Sequence, residues 1–238
     1  MVNQALDSLY RSHFGSECDT IVRGGIVDEQ VYRNTRPRIV FLLKEPNEPN
    51  PKQCGWSMPE ELHKTIRNYS SANAPLDPGL MCTWRQAGVW AYSIIYGFDS
   101  YSALKNDRFV AKGLQAVGMI NLKKTGGRSR VDEKEISRFA AQQKELWQKE
   151  IELTAPDLII CGKTYEDVKK NLGLERWKLG VVNDQLYYYS IYEVPDVKCV
   201  ILDFWHPLVS STRTAKSRDA LQQHLKYLVH ALKEKELL

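Results

Sequence analysis

The sequence predicts an α/β protein built on a parallel sheet, and three observations carry the prediction. The apolar runs Ile39–Leu43, Asp157 to Gly162 and Val197 to Phe204 are too short for helices. The first of them, with no polar residue to mark a solvent-facing side, fits a strand covered on both faces. Between these runs lie stretches with apolar residues at helical spacing, and strand, helix, strand, helix is the order of parallel strands joined by right-handed crossovers. Polar residues follow directly on several strand ends, the edge where open α/β sheets hold their ligands.

Taken in order, Asn3 to Phe14 places Ala5, Leu6, Leu9, Tyr10 and Phe14 near helical spacing before Gly15 stops it. The strand Ile39–Leu43 runs into Lys44-Glu45-Pro46-Asn47. Beyond that, Pro49, Pro51 and Gly55 exclude regular structure until Pro59 opens a helix over Glu60 to Tyr69. Ala72 to Gly79 is irregular, and helices follow over Thr83 to Tyr96 and Ser102 to Val117. A second strand, Gly118 to Lys123, empties into the basic loop Lys124 to Arg130. Asp132 then N-caps one long helix closed by Pro156, with Glu135 completing a capping box and Ile136, Phe139, Ala140, Gln143, Trp147 and Ile151 on one face. After the strand Asp157 to Gly162 come a helix over Thr164 to Leu172, a turn at Asn183-Asp184 and a tyrosine-dense strand over Gln185 to Glu193. Val197 to Phe204 is the last buried strand, and the closing helix Lys216 to Glu234 buries Leu221, Leu225, Leu228, Val229 and Leu232.

With 238 residues, 43% hydrophobic and 26% charged, the chain fits one globular domain over residues 1–238. No apolar run approaches the roughly 20 residues of a membrane span, and the first residues lack the layout of a signal peptide, so a cytoplasmic monomer with no membrane partner is expected. Five scattered cysteines without a C-x-x-C pair argue against a disulfide framework, a zinc site or an iron–sulfur cluster, and no metal or cofactor is expected. A net charge of +4 permits a polyanionic partner without demanding one.

In a parallel sheet the carboxyl ends share one edge, so Glu45, Asn121 and His206 become neighbours despite their separation in sequence. A carboxylate can orient or deprotonate water, an amide can read a donor and an acceptor on a planar ligand, and a histidine can stabilise an oxyanion. Together they suit cleavage at a heterocyclic base. Each also has a plainer reading: Glu45 as a helix cap, Asn121 as a strand-end cap, His206 as a turn residue and Trp56 as an aromatic covering a loop. Lys123, Lys124, Arg128 and Arg130 fit either a solvated basic turn or phosphate contacts.

The arrangement resembles the uracil-DNA glycosylase superfamily. Lys44-Glu45-Pro46-Asn47 stands where that family has its Gly-x-Asp/Glu/Asn-Pro or Gly-Glu-Ala-Pro-Gly water-activating motif, and His206-Pro207-Leu208-Val209-Ser210-Ser211 looks like its His-Pro-Ser-Pro-Leu-Ser segment. Ile120-Asn121-Leu122-Lys123-Lys124 is similar to the strand whose asparagine binds the uracil edge, Gly55-Trp56-Ser57 matches the place of the stacking aromatic, and Pro156 to Gly162 resembles a structural strand. The resemblance runs in order over roughly residues 38 to 211.

The resemblance implies a three-layer α/β/α sandwich around a central four-stranded parallel sheet. It also implies a DNA glycosylase that hydrolyses the N-glycosidic bond of uracil or another deaminated or damaged base, with no cofactor and with single- or double-stranded DNA as partner. Glu45 and His206 would be catalytic, Asn121, Trp56 and Asn47 would bind the base, and Lys123, Lys124, Arg128, Arg130, Leu208, Val209, Ser210 and Ser211 would contact DNA. Leu43, Lys44 and Leu208 depart from the family pattern. Those departures favour an alternative, a non-catalytic nucleic-acid-binding module on the same fold. A Rossmann-like enzyme acting on a small nucleotide is a further alternative, although neither Gly-x-Gly-x-x-Gly nor a Walker loop is present.

Overall fold

The computed structural model describes residues 1–46, 54–72, 76, 82–127, 132–207 and 215–238. Among these residues the strands are β1 (Gly25–Ile26), β2 (Ile39–Leu43), β3 (Val117–Asn121), β4 (Leu158–Gly162), β5 (Trp177–Val182), β6 (Gln185–Val194) and β7 (Val197–Phe204). They form one mixed sheet in the order β1-β3-β2-β4-β7-β6-β5. The neighbours β3, β2, β4 and β7 pair in parallel, whereas β1 on one side and β6 and β5 on the other pair antiparallel. The sheet is therefore wider than the four strands that the resemblance implies.

The helices are α1 (Val2–Phe14), α2 (Glu29–Arg33), α3 (Met58–Ala72), α4 (Cys82–Tyr96), α5 (Tyr101–Leu104), α6 (Asp107–Gln115), α7 (Glu133–Gln142), α8 (Lys144–Thr154), α9 (Tyr165–Leu172) and α10 (Ala215–Glu234). All five residues of β2 are buried, because the pleat sends alternate side chains into two different cores. Ile39, Phe41 and Leu43 join Leu62 of α3, Trp90 of α4, Val110 of α6 and Leu228 of α10. Val40 and Leu42 join Ile136 of α7, Trp147 of α8 and Val168 of α9. Helices thus cover both faces, and none is long and apolar enough to cross a membrane among the described residues.

Several elements differ from the sequence expectation, each for a local reason. The helix expected to run unbroken from Asp132 to Pro156 divides at Gln143, whose backbone leaves helical geometry at φ −107, ψ 23. The break lets the Trp147 indole donate to the Ala140 carbonyl at 2.8 Å. The helix expected over Ser102 to Val117 divides where the Asn106 side chain accepts from the Arg108 N–H and starts α6 afresh, and Val117 already belongs to β3. Helix α2, which the sequence reading passed over, is capped by Asp28, whose side chain accepts from the Gln30 and Val31 N–H groups. Strand β5 was missed because a register shift between Lys178 and Gly180 breaks its alternation. The turn expected at Asn183-Asp184 joins β5 to β6, both residues at positive φ (48 and 61).

Candidate active site

The exits of β2 and β3 build the first half of the site. The parallel ladder continues past the strands, with the Leu122 N–H donating to the Leu43 carbonyl and the Lys123 N–H to the Lys44 carbonyl, each at 2.9 Å. This register sets Lys123 beside Glu45. Its ammonium donates to Glu45 Oε2 at 2.7 Å and lies 3.4 Å from Glu135 Oε2 on α7, and the side chains of Lys123 and Glu45 are only 6% and 5% exposed. The loop after β3 closes over the carboxylate, with the Gly127 N–H donating to the Pro46 carbonyl at 3.0 Å. A Cβ at residue 127 would stand 2.0 Å from Glu45 Cδ, so a side chain there would push the carboxylate from its place.

Asn121 ends β3 opposite Leu43, buried at 2% exposure. Its Nδ2 donates to the Met58 sulfur at 3.6 Å, and its Oδ1 has no partner among the described residues. A buried amide oxygen without a donor is costly, on the order of 1–3 kcal/mol, and a bound ligand's N–H is one group that would satisfy it. Two residues before Met58, Trp56 is half-buried against the same core, its carbonyl accepting from the Arg23 N–H at 3.0 Å.

His206 follows β7 on the same edge, two strands from β2 with β4 between them. Burial, and then the ammonium groups of Lys44 and Lys163, push its pKa down to about 4. At neutral pH the imidazole is therefore uncharged, a donor that can meet a developing oxyanion without first giving up a proton. Lys44 is itself buried and ion-paired to Glu133 of α7.

A folded pKa below the unfolded value of 6.5 means that the unfolded chain binds the extra proton. Stability contributed by neutral His206 is thus present above pH 6.5 and lost as pH falls towards 4, by at most about 3 kcal/mol at roughly 1.4 kcal/mol per pH unit. Asp203, pushed up to about 6 by burial and then by Glu166, acts with the opposite sign over an overlapping window. Denaturant titrations of wild type and His206→Gln between pH 4 and 7 isolate the imidazole: wild type should lose stability relative to the variant as pH falls.

The structure thus joins Glu45 to Lys123, sets Asn121 against the segment that carries Trp56, and puts His206 on the same sheet edge. It corrects the expected role of two lysines. Lys124, expected at the phosphate-facing surface, is fully buried, bonding Glu150 of α8 at 2.6 and 2.7 Å and the Asn121 carbonyl at 2.6 Å. The Tyr10 hydroxyl donates to the same Glu150 carboxylate. Lys123 likewise points inward to Glu45 and Glu135 rather than to solvent. Asn47, Arg128, Arg130, Leu208, Val209, Ser210 and Ser211 lie outside the described residues.

Sequence reasoning missed Met58, the Lys44–Glu133 pair and Lys163. Lys163 was within reach, since it follows Gly162 at the end of β4 just as Glu45 follows β2. The chain matches no protein-family model and no curated protein, so the functional reading rests on this geometry.

Proposed function

We propose that the protein is a DNA N-glycosylase of the uracil-DNA glycosylase type, its parallel block β3-β2-β4-β7 acting as the four-stranded centre of a three-layer sandwich. The observation that carries the reading is Asn121, a buried carboxamide at a strand's carboxyl end whose oxygen has no donor, and whose nitrogen meets only a thioether, among the described residues. A planar base offering an N–H beside a carbonyl would satisfy both atoms. Since a base in a duplex is inaccessible, the target flips out and stacks on Trp56. Glu45, held by Lys123, orients the attacking water or stabilises the cationic sugar, and neutral His206 donates to the departing base.

A second reading is favoured by one observation: Glu45 is closed off by Lys123 and Gly127. A carboxylate so enclosed suits a module that binds nucleic acid without cleaving it.

Single-turnover release of free base from an oligonucleotide with one uracil, comparing wild type with Asn121→Ala, tests the proposal. Release by wild type and a loss of about 100-fold in the variant are expected, because the base edge loses both of its partners. Folding stability should barely fall, since the amide makes only one weak described bond. Equal release by the two proteins would remove Asn121 from the site.

A further inference from the structure

We infer that Tyr187, held by His224 and Asn183, is a positioning residue for His206 and acts through Trp205; the inference rests on the reading of His206 as the donor to the departing base. The chain leaves β7 through two consecutive aromatics, and both meet Tyr187. The rings of Phe204 and Tyr187 lie 6.0 Å apart, centroid to centroid, and the Trp205 indole N–H donates to the Tyr187 hydroxyl at 3.3 Å. Asn183 Nδ2 can only donate, so His224 Nε2 accepts from it at 2.9 Å and the neutral ring carries its hydrogen on Nδ1. The Tyr187 oxygen, 2.6 Å from Nδ1, therefore accepts from His224 as well as from the indole. A line of side chains from the β5–β6 turn, α10 and β6 therefore ends one residue short of His206.

A hydroxyl, an imidazole and an amide in series also describe a nucleophile, its base and the group that orients the base. Burial argues against that use here. Tyr187 is 2% exposed, burial raises its pKa, and burial lowers that of His224, so no reagent reaches the hydroxyl and the ring stays neutral. What remains is placement. Trp205 is held at its edge by Tyr187 and on its face by the Lys163 ammonium, 5.4 Å from the ring, the same cation that faces His206. Across the site, a Cβ at Gly162 would stand 3.1 Å from His206 Cδ2, so the imidazole is packed closely against the end of β4. Shifts of about 1 Å at a reacting centre can cost on the order of 100-fold in rate, which gives the grip on Trp205 its functional weight.

Tyr187→Phe keeps the ring and removes the oxygen. With labelled histidine in the full chain, the NMR titration midpoint of His206 should rise from about 4 by roughly half a unit or more, because a looser Trp205 admits water to the imidazole. Trp205→Phe, which removes the indole N–H, should shift the midpoint in the same direction. Single-turnover base release should fall about 10-fold in Tyr187→Phe with DNA affinity unchanged. Tyr192→Phe removes a hydroxyl from the same strand, one bonded to Gln148 and Glu152, and should change neither quantity.

Unchanged midpoints in both Tyr187→Phe and Trp205→Phe would overturn the inference, and so would an equal shift in Tyr192→Phe. The titration does not depend on catalysis. A shifted His206 in a chain that releases no base therefore upholds the positioning role while sinking the glycosylase reading.

Discussion

Glu45→Gln and His206→Ala should each lower single-turnover base release by about 100-fold or more while leaving DNA binding intact. Glycosidic cleavage builds positive charge on the sugar and negative charge on the base, so each variant removes a group that acts most strongly in the transition state. Gln keeps the shape of Glu45 and part of its hydrogen bonding but not its charge, and it leaves Lys123 facing a neutral amide. Ala removes the imidazole that lies between Lys44, Lys163 and the end of β4. Effects of mild misfolding are a few-fold and are separated by measuring binding and thermal unfolding on the same samples. Wild-type rates in both folded variants would place the chemistry elsewhere.

The largest effect on stability should come from Lys124→Met, about 3–5 kcal/mol by denaturant titration. The substitution leaves the Glu150 carboxylate at 0% exposure without its cation, and it removes the bond that holds the Asn121 carbonyl. Burial already lowers the pKa of Lys124 against the pull of Glu150, so the pair persists through mutual compensation. Replacing both partners, as in Lys124→Met with Glu150→Leu, should recover much of the loss, because two matched apolar side chains leave no buried charge. A phosphate contact would behave differently: its loss would weaken DNA binding and flatten the salt dependence while sparing the fold. A stable Lys124→Met with a reduced salt slope would contradict the buried-pair assignment.

Lys124 shows where a sequence stops being legible. Ile39–Leu43 reads as a central strand because full burial leaves an unbroken apolar run, and Glu45, Asn121 and His206 can be gathered from the rule that parallel strands end on one edge. The same rule extends to Lys163. Nothing local marks Lys124 as internal, since a lysine beside Gly126-Gly127 has the composition of a surface turn. Its partner Glu150 is 26 residues further on, and Tyr10 comes from the first helix. The breaks at Gln143 and Asn106 were hidden for a related reason. An indole donating to Ala140 and a side-chain cap on the Arg108 N–H are single bonds, and apolar periodicity carries through both positions. Strand β5 was obscured by its own bulge.

The most direct measurement is base release by the wild-type chain, in molar excess over oligonucleotides that each carry one uracil, hypoxanthine or xanthine. Free base and an alkali-labile abasic site should appear together from at least one of the three. Binding of all three oligonucleotides with every base left intact would contradict a glycosylase and leave the non-cleaving module in its place.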